Sequence, residues 1–588
     1  MFLNKIYPCL LFGILFLSGC KKDENTSTGN DNNSSIPLSA AAPVNISTDK
    51  AVYLPGEQVS FTIDKSVPAT CKIRYRHLYE TVQESDYKAL EWKWNPPATD
   101  FTGYLADIYN IENKREVIYG SIAIDVSSDW KRFPRYGFLS GFPLLNDSQM
   151  DEVIDNLTRY HINGLQFYDW TEKHHKPLAG TPALPSQNWL DIAGRPTYKS
   201  TVDGYIERAH IKGMKAMSYN LCYGSLNDAS ADGVLSEWYM YDDVNHQKKT
   251  VFDIGSFLKS PIYLMDPSNP DWQKYLADRN NEMYSVYGFD GYHIDQLGDW
   301  GSKFNYNGAT LNVAAAFGSF IAAMKSSRPD KRLVFNSVNQ YGQQASIAGS
   351  DVDFLYTEVW SPNDTYLSLA NILNDNSSFS QGKKSILAAY INYKLADKTG
   401  SFNIPSVLFA DAVIFAFGGA HLELGEHMLG KEYFPNSNLQ MSEELKKSLV
   451  AYYDFSVAYQ NLLRDGGNFN SPSVSAAAGG SVPVSTWPPQ TGSVSVAGKI
   501  AGGKQVLHLI NFRTNSTDWR DTDGTKTIPS LIQNLKLEYY SSGTVKKIWF
   551  ASPDLNSGIA FKLPFQQNGN TVSFIVPSLK YWDMIVIE

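Results

Sequence analysis

Two of the 60 acidic residues close short apolar runs in the same way. Gly288-Phe289-Asp290-Gly291-Tyr292-His293-Ile294-Asp295-Gln296 ends on Asp295, and Leu355-Tyr356-Thr357-Glu358-Val359-Trp360 ends on Glu358. Each run reads as a strand whose final polar residue is an acid. Cleavage of a glycosidic bond needs such a pair. One carboxylate attacks the anomeric carbon or activates water, and the other arrives protonated and releases the leaving oxygen. Asp295, the shorter acid, suits the nucleophile of an α-glycosidase. Glu358, flanked by Tyr356 and Trp360, suits the acid, because partial desolvation raises a carboxyl pKa. A separation of about 5 Å would mean retention of configuration, and about 6.5 Å or more inversion. A purely structural role is a fair reading of one strand-end acid and a weaker one of two. Asp290, an odd five positions before Asp295, faces the other side of an ideal strand and reads as structural, or as a cap at the strand entry.

Other strand ends carry polar and aromatic groups that fit a sugar-binding mouth: Asp169 and Trp170 with His174 beyond them, then Asn220 and Tyr223, His293, Asn336, Trp360, Asn392 with Tyr393, and Glu423 with Glu426. Hydroxyls bond to such amides, acids and imidazoles, and pyranose faces stack on such rings. Taken singly, each is as readily a loop cap or a core contact. His174-His175 lacks metal-ligand spacing, no segment has the acid spacing of an EF-hand, and no Gly-rich dinucleotide loop is present. The expectation is no metal and no cofactor.

The elements that must position these groups alternate strand and helix. Strands are expected at residues 136–141, 164–170, 215–220, 291–297, 332–338, 354–360, 385–392 and 419–424, with helices at 148–160, through 205–210, at 272–287, 309–325, 406–417 and 442–463. A very long loop, about 221–270, follows the third strand. Eight units favour a closed (β/α)8 TIM barrel at 129–466 over an open doubly wound sheet. Catalytic groups of such a barrel gather at the C-terminal ends of its strands. Residues 43–128 show short alternating strands and turn signals, the pattern of an N-terminal immunoglobulin-like β-sandwich. Residues 467–588 read as a C-terminal β-sandwich.

The chain of 588 residues is too long for one core. Its net charge of −9 argues against nucleic acid and anionic membrane as main partners, and its 13% aromatic content is compatible with a neutral glycan. Residues 1–20 read as an export signal: Lys5, an apolar run, then Leu17-Ser18-Gly19-Cys20. That ending resembles a bacterial lipobox with Cys20 lipidated, and Lys21-Lys22-Asp23-Glu24 resembles the surface-export signal of Bacteroidetes lipoproteins. Residues 21–42 are rich in Asn, Ser, Thr, Asp and Gly and read as a flexible tether. The expected location is the outer membrane or cell surface, held by lipid alone. The expected state is a monomer. Cys71 and Cys222 fall in different regions and read as buried free thiols.

The segment from Gly288 to Gly298 resembles the nucleophile segment of glycoside hydrolase family 66, the family of dextranases and cycloisomaltooligosaccharide glucanotransferases. Tyr356-Thr357-Glu358-Val359-Trp360 resembles its acid/base segment, and Phe133-Pro134-Arg135-Tyr136-Gly137-Phe138 the entry to its barrel. The resemblance covers the chain from about residue 44 to the end. It implies retaining hydrolysis of α-1,6-glucosidic bonds in dextran and isomaltooligosaccharides, with Asp295 as nucleophile, Glu358 as general acid/base and no cofactor. The glucanotransferases resembled carry a carbohydrate-binding module after the seventh strand. Here only residues 393–403 separate that strand from its helix, which favours an endo-dextranase. Two other readings stay open: a barrel glycosidase acting on another α-glucan or a plant glycan, and a surface glycan-capture protein without activity.

Overall fold

A computed structural model describes residues 36–588, so the expected export signal, Cys20 and most of the expected tether lie outside the described residues. The central unit is a parallel eight-stranded sheet: β1 (Tyr136–Leu139), β2 (Gly164–Phe167), β3 (Lys215–Leu221), β4 (Gly291–Asp295), β5 (Arg332–Asn336), β6 (Leu355–Glu358), β7 (Ser385–Ala388) and β8 (Ala420–His421). Neighbours in sequence are neighbours in the sheet. The ends meet where Phe138 N donates to Leu424 O at 3.1 Å and Phe138 bridges Gly425, which closes the TIM barrel. The strands are apolar and buried almost throughout, because helices cover the outside and side chains fill the inside.

Seven helices surround it: α1 (Asp147–Arg159), α2 (Lys199–Ile211), α3 (Pro270–Tyr284), α4 (Val313–Ser327), α5 (Tyr366–Phe379), α6 (Ile404–Ala416) and α7 (Glu443–Ala458). Asn146 opens α1 by a capping box with Gln149, and Asn269, Asn312, Asn403 and Ser442 cap α3, α4, α6 and α7. Between β5 and β6 the helix shrinks to one π-turn, Gln343–Ile347. The long loop after β3 is not featureless. Its strands Gly224–Ser225, Val251–Phe252 and Ile262–Leu264 form a small sheet at the barrel mouth.

Before the barrel, a five-stranded and a three-stranded sheet close on one core that includes Phe61, Tyr75, Trp94, Ile108 and Ile124. After it, seven- and four-stranded sheets share a core with Leu509, Leu537, Phe550 and Phe574. The barrel's apolar cluster continues into both flanks, through Leu105 and Ala123 on one side and Trp549 and Trp582 on the other. Helix α7 carries that junction. Phe455 meets Trp582 at 4.8 Å, and Asp454 accepts from the backbone of Ala123 at 2.9 Å. Cys71 and Cys222 are buried and unpaired.

The chain enters the fold earlier than its composition implies. Within the expected tether, Leu38–Ser39 pairs with strand Arg115–Val126, and Asn556 donates to Pro37 O at 2.7 Å. On the tether's side these bonds use its backbone atoms, which a reading of polar side chains does not register.

Candidate active site

The C-terminal ends of the barrel strands open into a cleft of about 610 Å³. Asp295 ends β4 and Glu358 ends β6, and both line it. Asn336, the last residue of β5 between them, uses one amide nitrogen for both acids. Its Nδ2 donates to Asp295 Oδ1 at 2.7 Å and to Glu358 Oε2 at 3.0 Å. The two oxygens are therefore at most about 5.7 Å apart, the sum of the two bond lengths. The two N–H bonds of a planar amide diverge by about 120°, which sets the oxygens about 5 Å apart.

The two acids differ in surroundings. Burial pushes the Asp295 carboxyl up, while the Tyr219 hydroxyl, Asn336 and the backbone N–H of Gln296 pull it back by bonding to the ionised form. Burial and the neighbouring Asp295 charge lift Glu358 to about 7, against hydrogen bonds from Asn336 and from Tyr390 Oη at 2.9 Å. Both carboxyls are raised by burial, and the Asp295 charge adds to the rise of Glu358.

Around the pair stand His293, Asp169, His174 and Trp360, all lining the cleft as expected. Two tyrosine rings sandwich the His293 imidazole, Tyr136 at 5.7 Å and Tyr219 at 5.5 Å, and burial drives it down to about 3, so it is neutral. Asp169 sits just past β2 with φ at 47°, a left-handed conformation that turns its carboxyl into the cleft. Burial, with the Asp191 and Asp295 charges, raises it to about 7 despite Arg195. His174 Nδ1 meets Asn220 Oδ1 at 2.7 Å, which leaves Nε2 as an acceptor with no partner among the described residues. Trp360 packs at 5.3 Å from Tyr390 and 5.8 Å from Tyr393, with the Arg520 guanidinium 5.4 Å from its ring centroid.

Comparison with known proteins gives the family. The model of glycosyl hydrolase family 66 matches residues 48–586. The chain belongs to that family. A cycloisomaltooligosaccharide glucanotransferase of Niallia circulans is 27% identical over 92% of this chain and 71% of its own length. A dextranase of Streptococcus salivarius is 26% identical over 85% of this chain and 68% of its own. Among solved structures, a Paenibacillus sp. cycloisomaltooligosaccharide glucanotransferase complexed with cycloisomaltoheptaose superposes with a TM-score of 0.86 and 26% identity. It covers 93% of this chain and 100% of the other.

Within this family-66 barrel, several residues expected at the mouth do other work. Trp170 is fully buried outside the barrel against Trp189, Tyr287 and Phe289, its indole N–H on Ser218 Oγ at 3.2 Å. Asn220 lies behind His174 rather than in the cleft. Tyr223 is buried beneath the turn after β4 and accepts from Leu297 N at 2.6 Å. Asn392, with φ at 58°, donates to Asp521 O at 2.8 Å and fastens the loop after β7 to the C-terminal region. Glu426 gathers the backbone N–H of Ser140 at 2.8 Å and ties β8 to β1. Glu423 turns outward to Tyr453 Oη at 3.0 Å and His421 at 3.3 Å.

His421 also meets Asp411 at 2.8 Å, and together these groups form a buried ionic knot behind β8. His175, beside His174, pairs with Asp232 at 3.1 Å, and Lys173 and Lys176 satisfy the same carboxylate. Asp290 caps the strand entry as expected, accepting from Ala216 N at 2.9 Å and His210 at 2.8 Å.

The groups missed are Tyr219 and Tyr390, which bond to the two acids, and Gln166, Tyr168, Tyr433 and Phe434 in the cleft wall. A signal for Tyr219 exists. β3 pairs with β4 so that Tyr219 lies beside His293 and Leu221 beside Asp295. The inward parity of β4 therefore selects Tyr219, not Asn220.

Proposed function

We propose that the protein is an endo-acting hydrolase of α-1,6-glucosidic linkages in dextran, working with retention of configuration. The observation that carries this reading is the single Asn336 nitrogen bonded to both acids, because about 5 Å between carboxyl oxygens is the retaining spacing. Asp295 attacks the anomeric carbon as the bond to the O6 leaving oxygen breaks. Glu358 gives that oxygen its proton. Glu358, now ionised, takes a proton from water, whose oxygen attacks the same carbon and releases Asp295. His293, Asp169 and the His174 Nε2 acceptor hold sugar hydroxyls, and Trp360 offers a ring face.

The dextranase and glucanotransferase relatives support the α-1,6-glucan as substrate. Transfer to a sugar hydroxyl instead of water is the second reading, favoured by the likeness to a glucanotransferase complexed with a cyclic product. The short connection between β7 and α6, residues 389–403, leaves no room for an inserted module there and favours hydrolysis. Release of reducing ends from dextran tests the reading. Wild type cuts, and Asp295→Ala and Glu358→Ala lose orders of magnitude in rate. Activity on starch or pullulan with none on dextran, or glycan binding with no cutting at all, contradicts it.

We propose in addition that Cys20 is lipidated and that the enzyme is displayed at the cell surface as a monomer. Cys20→Ala should abolish incorporation of labelled palmitate and release the protein from membranes.

A further inference from the structure

At the end of the barrel opposite the cleft, a cavity of about 370 Å³ lies between α5, the start of β7, the segment after α7 and the C-terminal sheets. Four of the residues lining it are basic (Lys383, Lys384, Arg464 and Lys499), and none is acidic. Lys383 turns away, its ammonium on the carbonyls of Ala348 and Ser350. The other three are poorly matched. Arg464 is 4% exposed, bonds Pro134 O at 2.8 Å through one terminal nitrogen, and has an Nε without partner among the described residues. Lys499 is 3% exposed and donates only to Leu463 O at 2.8 Å. The half-buried Lys384 ammonium has no hydrogen-bond partner among the described residues.

The carboxylates whose fields reach this cluster are already taken, Asp465 by Arg132 and Asp125 by Arg135. Burial lowers all three: Lys384, with Arg464 and Arg132 beside it, and Lys499, with Lys384 beside it, fall to about 8, and Arg464, with Arg135 beside it, to about 9. Three cations pressed together in a chain of net charge −9 are an unpaid electrostatic cost that an anion would relieve. The neutral glucan bound in the cleft brings no such charge.

We propose that this cavity binds a small oxyanion, a phosphate or sulfate group, held by Lys384, Lys499 and Arg464. The ring of Phe469, 5.2 Å from Lys499 Nζ, forms one wall, and the volume leaves room for a small carrier of the anion. The site joins barrel strand β7 to the C-terminal sheets and is independent of the glucan reading.

Calorimetric titration of the full chain with inorganic phosphate, at ionic strength held constant with chloride, tests it. Glucose 6-phosphate in a parallel titration distinguishes a free anion from a carried one, by which of the two binds more tightly. Expected is saturable binding at one site, weakened about tenfold or more in Lys384→Gln and in Lys499→Gln, with dextran cleavage unchanged. If Lys499→Gln does not fold, Lys384→Gln, at a half-buried position, carries the comparison. No saturable binding of either anion, or binding equally strong in a folded Lys384→Gln variant, would overturn the proposal.

Discussion

Asp295 and Glu358 hang from one side-chain nitrogen: Asn336 Nδ2 donates to both, at 2.7 and 3.0 Å. That amide fixes how far apart the acids stand and lets two neighbouring carboxyl groups coexist. Burial pushes both acids up, and the field of Asp295 helps lift Glu358 to about 7.

Asn336→Ala should therefore lower kcat about 10²- to 10³-fold, the usual loss when one preorganised donor is removed, with KM moved little. Steady-state kinetics on dextran checks this. A change confined to KM would mean that Asn336 merely binds sugar.

The pH profile follows from Glu358. In the proposed mechanism it acts protonated, and burial with the Asp295 charge lifts it to about 7, so kcat/KM should fall as pH rises through that value. The acid limb lies lower, where Asp295 gains a proton, and is displaced upward from the ordinary Asp range by burial. Glu358→Gln should abolish the alkaline limb and retain the first step on a glucosyl fluoride, whose leaving group needs no proton: fluoride is released in a burst, and turnover then stalls because water has lost its base. Burial also lifts Asp169 to about 7, so Asp169→Asn is the control: its alkaline limb should persist.

Two tryptophans separate binding from folding. Trp360 lines the cleft, and Trp360→Ala should raise KM several-fold, about 1 kcal/mol of lost stacking. Trp170 is fully buried, and Trp170→Ala should cost about 3–5 kcal/mol of stability with KM unchanged in whatever remains folded. Urea unfolding and kinetics on the same preparations check both.

Asp454 on α7 accepts from Ala123 N, Arg159 and His161 at the junction of barrel and N-terminal sheets. Burial opposes its charge, but Arg159 and His161 hold it down to about 2. Asp454→Ala leaves Arg159 and the bonded backbone without their partner and should destabilise by about 3–5 kcal/mol. A carboxyl depressed on folding contributes stability that is present above its unfolded value of about 3.9 and lost as pH falls through the folded value. The stability gap between wild type and Asp454→Asn should therefore narrow between pH 5 and pH 2.5, read by urea midpoints.

The barrel was legible because its strands are apolar runs that stop at a polar residue, and because Asn and Ser caps mark the helix starts. The two acids followed from the same rule. The rule fails where a strand's last polar residue faces outward. On β3 the parity of Asp295 selects Tyr219, and reading the strand end alone selects Asn220 instead. β8 is only two residues long, so Glu423 and Glu426 lie beyond it and serve the outer packing and the closure with β1. Trp170 and Asn392 follow their strands closely in sequence but lie past the turn, where tertiary packing decides orientation. Tyr433 and Phe434 come from a loop with no strand to announce them.

The measurement closest to the central claim is the configuration of the new reducing ends, followed by ¹H NMR in the first minutes of dextran cleavage at high enzyme concentration. An oxygen spacing of about 5 Å predicts α-anomeric ends first, with β appearing only by mutarotation. β-anomeric ends appearing first would mean direct attack by water, and Asp295 would not be a nucleophile.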